Sequence, residues 1–153
     1  MRDVVIVDSV RTGLTKAFRG SFNLTRSDDM LAHCIDSLLD RNPNLSPEEV
    51  EDVVVGAATH AGEQDGNLAR LAVVLSKLPI TVAGVSINRF CSSGLQAIAI
   101  AANQIASGQT EVAIAGGVDS ISMRTRQEPG KAKQNQRLLD EKPDIFMAMG
   151  NTA

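Results

Sequence analysis

An alternation of pattern constrains this chain more than any other feature. Short apolar runs rich in β-branched residues recur at Val4–Val7, Val53–Val55, Val82–Ile87 and Glu111–Ala115. Runs of this length, bounded by charge or glycine, predict buried strands. Helical stretches fall between them. Ser27 is placed to cap a helix, Asp28 and Asp29 suit its first turn, and Met30, Leu31, Cys34, Ile35, Leu38 and Leu39 make one apolar stripe. Ser46-Pro47-Glu48-Glu49 has the form of a capping box with proline at the first helical position. Asn67–Lys77 predicts a further helix with Leu68, Leu71, Val74 and Leu75 on one side, stopped by Pro79. Ser92–Ser107 is Ala-rich and apolar on most sides, as in a buried helix, and Gly108 is placed to end it. Arg11–Asn23, with Gly13 and Gly20, reads as a loop, and Gly116-Gly117 as a turn after the fourth strand. Strand alternating with helix predicts an α/β fold with a mainly parallel sheet covered by helices on both faces.

Composition narrows the function classes. With four Phe and neither Trp nor Tyr, the core must be aliphatic. A net charge of -3 gives no general attraction to nucleic acid. No apolar run reaches the length of a membrane span, and the first residues meet Asp3 and Asp8 too early for a signal peptide. Two cysteines far apart in sequence make no disulfide framework, so a reducing compartment such as the cytoplasm is expected. After about Met123 the chain turns polar, and Arg124, Arg126, Lys131, Lys133, Arg137 and Lys142 lie among acids that interrupt the run. That pattern fits a solvated loop better than a phosphate-binding patch.

The chemistry concentrates at Ile87-Asn88-Arg89-Phe90-Cys91-Ser92-Ser93-Gly94-Leu95-Gln96-Ala97. Here a strand is expected to end and a helix to begin, with Cys91 at the junction. Unpaired N–H groups and about half a positive charge at a helix start favour thiolate over thiol and can bind an oxyanion. Small residues at Ser92, Ser93 and Gly94 leave room for a substrate. On position alone, a reactive nucleophile and an inert buried cysteine are equally good readings.

A resemblance separates them. Asn88-Arg89-Phe90-Cys91-Ser92-Ser93-Gly94-Leu95 resembles the nucleophile signature of the thiolases. Val5–Thr12 is similar to the opening strand of that family and the arginine after it. Lys16–Phe22 resembles a loop of its degradative members, and Gln64–Arg70 the segment before the third helix. Ala115–Ser122 resembles the glycine-rich stretch before the loop domain, with Asp119 where the family usually has Glu and Ile121 where it has Met. Met149–Ala153 resembles a later motif whose Met lies near the acyl group. Ala148 stands where biosynthetic members often have His, which leans toward longer substrates than acetoacetyl-CoA.

The resemblance implies a thiolase-like fold, with residues 1–122 as the N-terminal α/β domain and 123–153 as the start of a loop domain. It implies an acyltransferase of β-oxidation type in fatty acid metabolism, which splits 3-ketoacyl-CoA with CoA, or runs the reverse condensation. Cys91 would hold the acyl group as a thioester, its N–H would help form an oxyanion hole, and Met149 would lie by the substrate. CoA would be a substrate, with no metal or redox cofactor, and the full-length protein would be a homodimer or homotetramer. The family's histidine and second cysteine are expected in a C-terminal half beyond Ala153, so residues 1–153 alone are expected to be inactive. His33 reads as a packing residue on the first helix, His60 as a solvated loop residue, and Cys34 as a core cysteine. A ketoacyl-synthase-type condensing enzyme, or a non-catalytic interaction module of the same fold, are the competing readings.

Overall fold

A computed structural model describes residues 2–124 and 135–153. Three short parallel strands form its sheet: β1 (Asp52–Gly56), β2 (Ala83–Ile87) and β3 (Ala113–Gly117), in the order β2-β1-β3. The register runs Asp52 opposite both Ala83 and Ala113, through to Gly56 opposite Ile87 and Gly117. Helices α1 (Ser27–Arg41) and α2 (Leu68–Leu75) cover one face, and α3 (Ser93–Ser107) covers the other. The central strand explains the layering. Successive side chains point to opposite faces, so Val53 and Val55 join the α1/α2 core while Val54 packs against Ala97 and Ala101 of α3. All three valines are buried, each worth about 1.5–3 kcal/mol over an exposed one. This is the α/β arrangement with helices on both faces of a parallel sheet that the alternating pattern predicts.

Several expectations need correction. Val4–Val7 is not a strand: Val5, Ile6 and Val7 are 75–81% exposed. Among the described residues its ties lie at its ends, where the Arg2 N–H donates to Ala106 O (3.2 Å), Arg2 pairs with Glu111, and Asp8 pairs with Arg41 (2.7 Å) and accepts from Asn42 (3.1 Å). A strand needs a ladder partner, and a groove of about 350 Å³, lined by Val10–Thr12 and Ile114–Val118 among others, opens beside the outer edge of β3.

Second, α2 buries Leu68, Ala69, Ala72 and Val73, while Leu71, Val74 and Leu75 are 42–59% exposed. The cause is close approach. At Gly84 of β2 an added Cβ would lie 3.0 Å from the Arg70 N and 3.2 Å from the Ala69 carbonyl carbon. The contact falls at the backbone of Ala69 and Arg70, so the helix turns its Ala69 and Ala72 side, with Leu68 and Val73, toward the sheet.

Third, α3 is not buried all round. Ser93, Ala97 and Ala101 face the sheet, and Leu95 and Ile98 are exposed. Gly108 ends it as expected, in the left-handed conformation at φ 78°.

Fourth, Gly116 and Gly117 form no turn; they pair with Val55 and Gly56 inside β3, which begins two residues later than predicted. Ser27 does not cap α1 either. Arg26 holds the cap position, and the buried Ser27 hydroxyl donates to Glu63 (3.3 Å). The Ser46 box does form: the Glu49 carboxylate accepts the Ser46 N–H at 2.8 Å, over a single turn Pro47–Glu49.

Helix α4 (Ile121–Arg124) follows β3, and α5 (Gln136–Glu141) and α6 (Met149–Thr152) lie in the last stretch. Every hydrogen bond that residues 135–153 make among the described residues stays within that stretch. Of the basic residues, Arg126, Lys131 and Lys133 lie outside the described residues, while Arg137 pairs with Glu141 (2.7 Å).

Candidate active site

The carboxyl ends of the three strands are brought together by glycine. An added Cβ on Gly56 would sit 2.2 Å from the Ser93 carbonyl, and one on Gly117 would sit 2.7 Å from Gly56 O and 2.9 Å from Gly94 Cα. The first turn of α3 therefore rests backbone to backbone on the ends of β1 and β3. In open parallel sheets this edge is the usual place for a ligand.

Five residues, Asn88–Ser92, link β2 to α3, and Cys91 is the fourth. Its side chain is exposed, and its Sγ makes no hydrogen bond among the described residues. Ser92 holds the cap position of α3, so Cys91 lies one residue before the cap of a four-turn helix and within reach of its positive end.

The turn is strained and clamped. Phe90 has φ +49°, in the left-handed region that non-glycine residues avoid. The buried Ser93 hydroxyl holds both sides of Phe90. It accepts the Arg89 N–H at 2.7 Å and donates to Phe90 O at 2.6 Å. The Ser93 N–H also donates to Phe90 O (3.0 Å), and Asn88 Oδ1 accepts the Phe90 N–H (2.8 Å).

A polar network ties the three loops at this edge. Asp119, just after β3, accepts N–H groups from Ala58 (2.8 Å) and Thr59 (3.2 Å), and the Gln64 amide at 3.1 Å. Gln64 is 2% exposed; its amide also donates to Thr59 O (2.6 Å), and its Oε1 accepts the Ser120 N–H (2.7 Å). Asn88 Nδ2 donates to Ala58 O at 3.0 Å. His60 is half-buried, not solvated as expected. Its Nε2 lies 3.0 Å from Ala57 O and 3.4 Å from Ile87 O, bridging the exits of β1 and β2. A ring nitrogen facing two carbonyls is a donor, so Nε2 of His60 bridges the two strand exits, and no hydrogen bond joins the His60 ring to Cys91 among the described residues.

The other singled-out residues lie apart. Met149 is 76% exposed on α6, and among the described residues no hydrogen bond joins its stretch to the Cys91 turn. His33 is exposed, not packed: the stripe of α1 turns inward at Leu31, Ala32 and Ile35 and leaves position 33 to solvent. Cys34 is only half-buried and lines the groove beside β3. Burial pushes its thiol pKa up, opposed by a backbone hydrogen bond at Thr12.

The sequence reading missed the roles of Asn88, Ser93 and Gln64. Asn88 had a local signal, because an Asn at a strand exit commonly bonds the backbone two residues on. Gln64 had little, since two of its partners, Asp119 and Ser120, are distant in sequence.

The comparisons agree on the family. A family model described as thiolase, N-terminal domain, matches residues 4–152. The β-ketoadipyl-CoA thiolase of Pseudomonas putida is 42% identical over 144 residues, covering 92% of this chain and 36% of that protein. The 3-ketoacyl-CoA thiolase of Bacillus subtilis (strain 168) is 39% identical over 153 residues, all of this chain and 39% of that protein. A 3-oxoadipyl-CoA/3-oxo-5,6-dehydrosuberyl-CoA thiolase of Escherichia coli (strain K12) is 43% identical over 122 residues, 80% of this chain and 30% of that protein. The chain belongs to the thiolase family and corresponds to its N-terminal domain. It spans about a third of the length of these relatives.

Proposed function

We propose that this chain carries the acyl-accepting cysteine of an enzyme that cleaves 3-ketoacyl-CoA with CoA, or runs the reverse condensation. The observation that carries the reading is the exposed Cys91 at the head of α3, in a turn held at positive φ, within a chain of this family. The Cys91 thiolate would attack the keto carbon. The carbon–carbon bond breaks, the departing two-carbon fragment takes a proton and leaves as acetyl-CoA, and Cys91 keeps the shortened acyl group as a thioester. A CoA thiol then takes that group and returns the thiol of Cys91. Two easier steps replace one hard one. The first-turn N–H groups of α3 supply positive potential where the thioester oxygen gains charge.

Proton transfer needs groups that the described residues do not bring to Cys91. The Nε2 of His60 faces two carbonyls and its ring makes no hydrogen bond to Cys91, and Cys34 lies by the β3 groove. Residues 1–153 alone are therefore expected to accept an acyl group at most, without turnover. CoA enters as a substrate, and the complete protein would act as a homodimer or homotetramer. Names among the relatives include both 3-ketoacyl-CoA and β-ketoadipyl-CoA thiolases, so the acyl class is open to a direct assay.

The test uses the protein at its full natural length. CoA-dependent loss of 3-ketoacyl-CoA substrates, straight-chain and ω-carboxylated, is compared between wild type and Cys91→Ala. Turnover of either class that falls by at least about 10³-fold in the variant is expected for loss of a nucleophile. Retained turnover in Cys91→Ala would overturn the reading.

A further inference from the structure

We infer that Asn88 is a positioning residue for Cys91, acting through the backbone of Phe90; this rests on the proposed role of Cys91. Phe90 directly precedes the nucleophile, and its φ of +49° sets the direction in which the Cys91 peptide leaves the turn. A phenylalanine does not hold that conformation unaided, and in a relaxed chain it returns to negative φ. Packing is not what holds it, because the Phe90 ring is 77% exposed.

Hydrogen bonds hold it instead. Ser93 fixes the carbonyl side of Phe90 from within α3. Asn88 fixes the amide side, and it is the link from the turn to the rest of the sheet edge. Its Oδ1 takes the Phe90 N–H at 2.8 Å while its Nδ2 donates to Ala58 O at 3.0 Å. Ala58 is itself immobilised, since its N–H donates to Asp119 at 2.8 Å. A chain of hydrogen bonds thus runs from the end of β3, through the loop after β1, to the residue before Cys91. Asn88 is the side chain in that chain of bonds that accepts at one atom and donates from another. Aspartate supplies the acceptor only, and alanine neither.

The strain gives the inference a distinctive signature. Glycine adopts positive φ without penalty, so the turn of a Phe90→Gly variant needs no clamp. Removing the Asn88 side chain should be damaging when position 90 holds phenylalanine and nearly harmless when it holds glycine. A role in overall stability, or a direct contact with substrate, predicts the same loss in both backgrounds.

The experiment measures kcat, KM and the rate of Cys91 alkylation by iodoacetamide. It uses the full-length protein as wild type, Asn88→Ala, Phe90→Gly and the double variant. Asn88→Ala should lower kcat and the alkylation rate about tenfold, the size expected when a left-handed residue is released, with KM within about twofold. In the Phe90→Gly background the same substitution should change both rates by less than about threefold. Equal losses in the two backgrounds, or a wild-type rate in Asn88→Ala, overturn the inference. If Asn88→Ala is not recovered folded, Asn88→Asp decides. It keeps the Phe90 acceptor and loses the donor to Ala58, so an undiminished rate overturns the inference and a reduced one, absent in the Phe90→Gly background, supports it. Activity surviving in Cys91→Ala would instead overturn the proposed function, and is read separately.

Discussion

Replacing Gly56 by alanine should lift the head of α3 off the sheet. The added methyl would begin 2.2 Å from the carbonyl carbon and oxygen of Ser93 and 2.6 Å from Gly94 N. Both sides of this contact are backbone, so no side chain can swing away. Gly56 is paired with Ile87 on one side and Gly117 on the other, which prevents the strand from retreating. The helix must then move by about an ångström to restore a normal contact. Overpacking of this kind typically costs about 1–3 kcal/mol, and the rigid surroundings place Gly56→Ala near 3 kcal/mol. Movement of Ser93 would also release its hydroxyl from Arg89 and Phe90, so the alkylation rate of Cys91 should change as well. Gly116→Ala is the control: it is the neighbouring residue of Gly117 in the same strand, with nothing within 4 Å of its added Cβ. It should lie within about 0.5 kcal/mol of wild type. Urea unfolding of the two variants gives the comparison. If Gly56→Ala is no less stable than Gly116→Ala, the claim that α3 rests directly on the strand ends is wrong.

Two further outcomes follow from burial. With limiting iodoacetamide at neutral pH, Cys91 should be labelled well before Cys34, because Cys91 is exposed whereas burial raises the thiol pKa of Cys34. A raised thiol pKa means less thiolate at a given pH, so Cys34 labelling should gain on Cys91 only as the solution becomes alkaline; peptide mapping reads both. On α2, Leu68→Ala should cost about 2–5 kcal/mol in urea unfolding, since Leu68 is fully buried, while Val74→Ser, on a 59% exposed side chain, should stay within about 0.5 kcal/mol. The reverse order would mean that the helix packs on its other face.

The layers of the fold were legible because Val53–Val55 lies between two helical stretches, and a β-branched run there, buried on both faces, makes the central strand. The face of α2 was not. Leu71, Val74 and Leu75 are larger than Ala69 and Ala72, and a reading by hydrophobicity chooses them. The sheet chooses by distance, and the close approach at Gly84 falls on the backbone of Ala69 and Arg70. Val4–Val7 carries the composition of a strand, but composition does not supply a ladder partner. At the candidate site, the place of Cys91 between strand and helix followed from local pattern. Its supports did not, because Asp119, Gln64 and Ala58 meet only after the three strand ends converge. Asp119 has a visible use in this chain, since the carboxylate holds the loop after β1 at two successive N–H groups.

The central claim is that Cys91 becomes acylated, and mass spectrometry tests it most directly. The full-length protein is incubated with an acyl-CoA in the absence of free CoA, quenched in acid and digested. The peptide containing Cys91 should gain the mass of the acyl group, lose it when CoA is added before quenching, and show no gain in Cys91→Ala. Acylation confined to another peptide, or an adduct of the same size persisting in Cys91→Ala, would contradict the account.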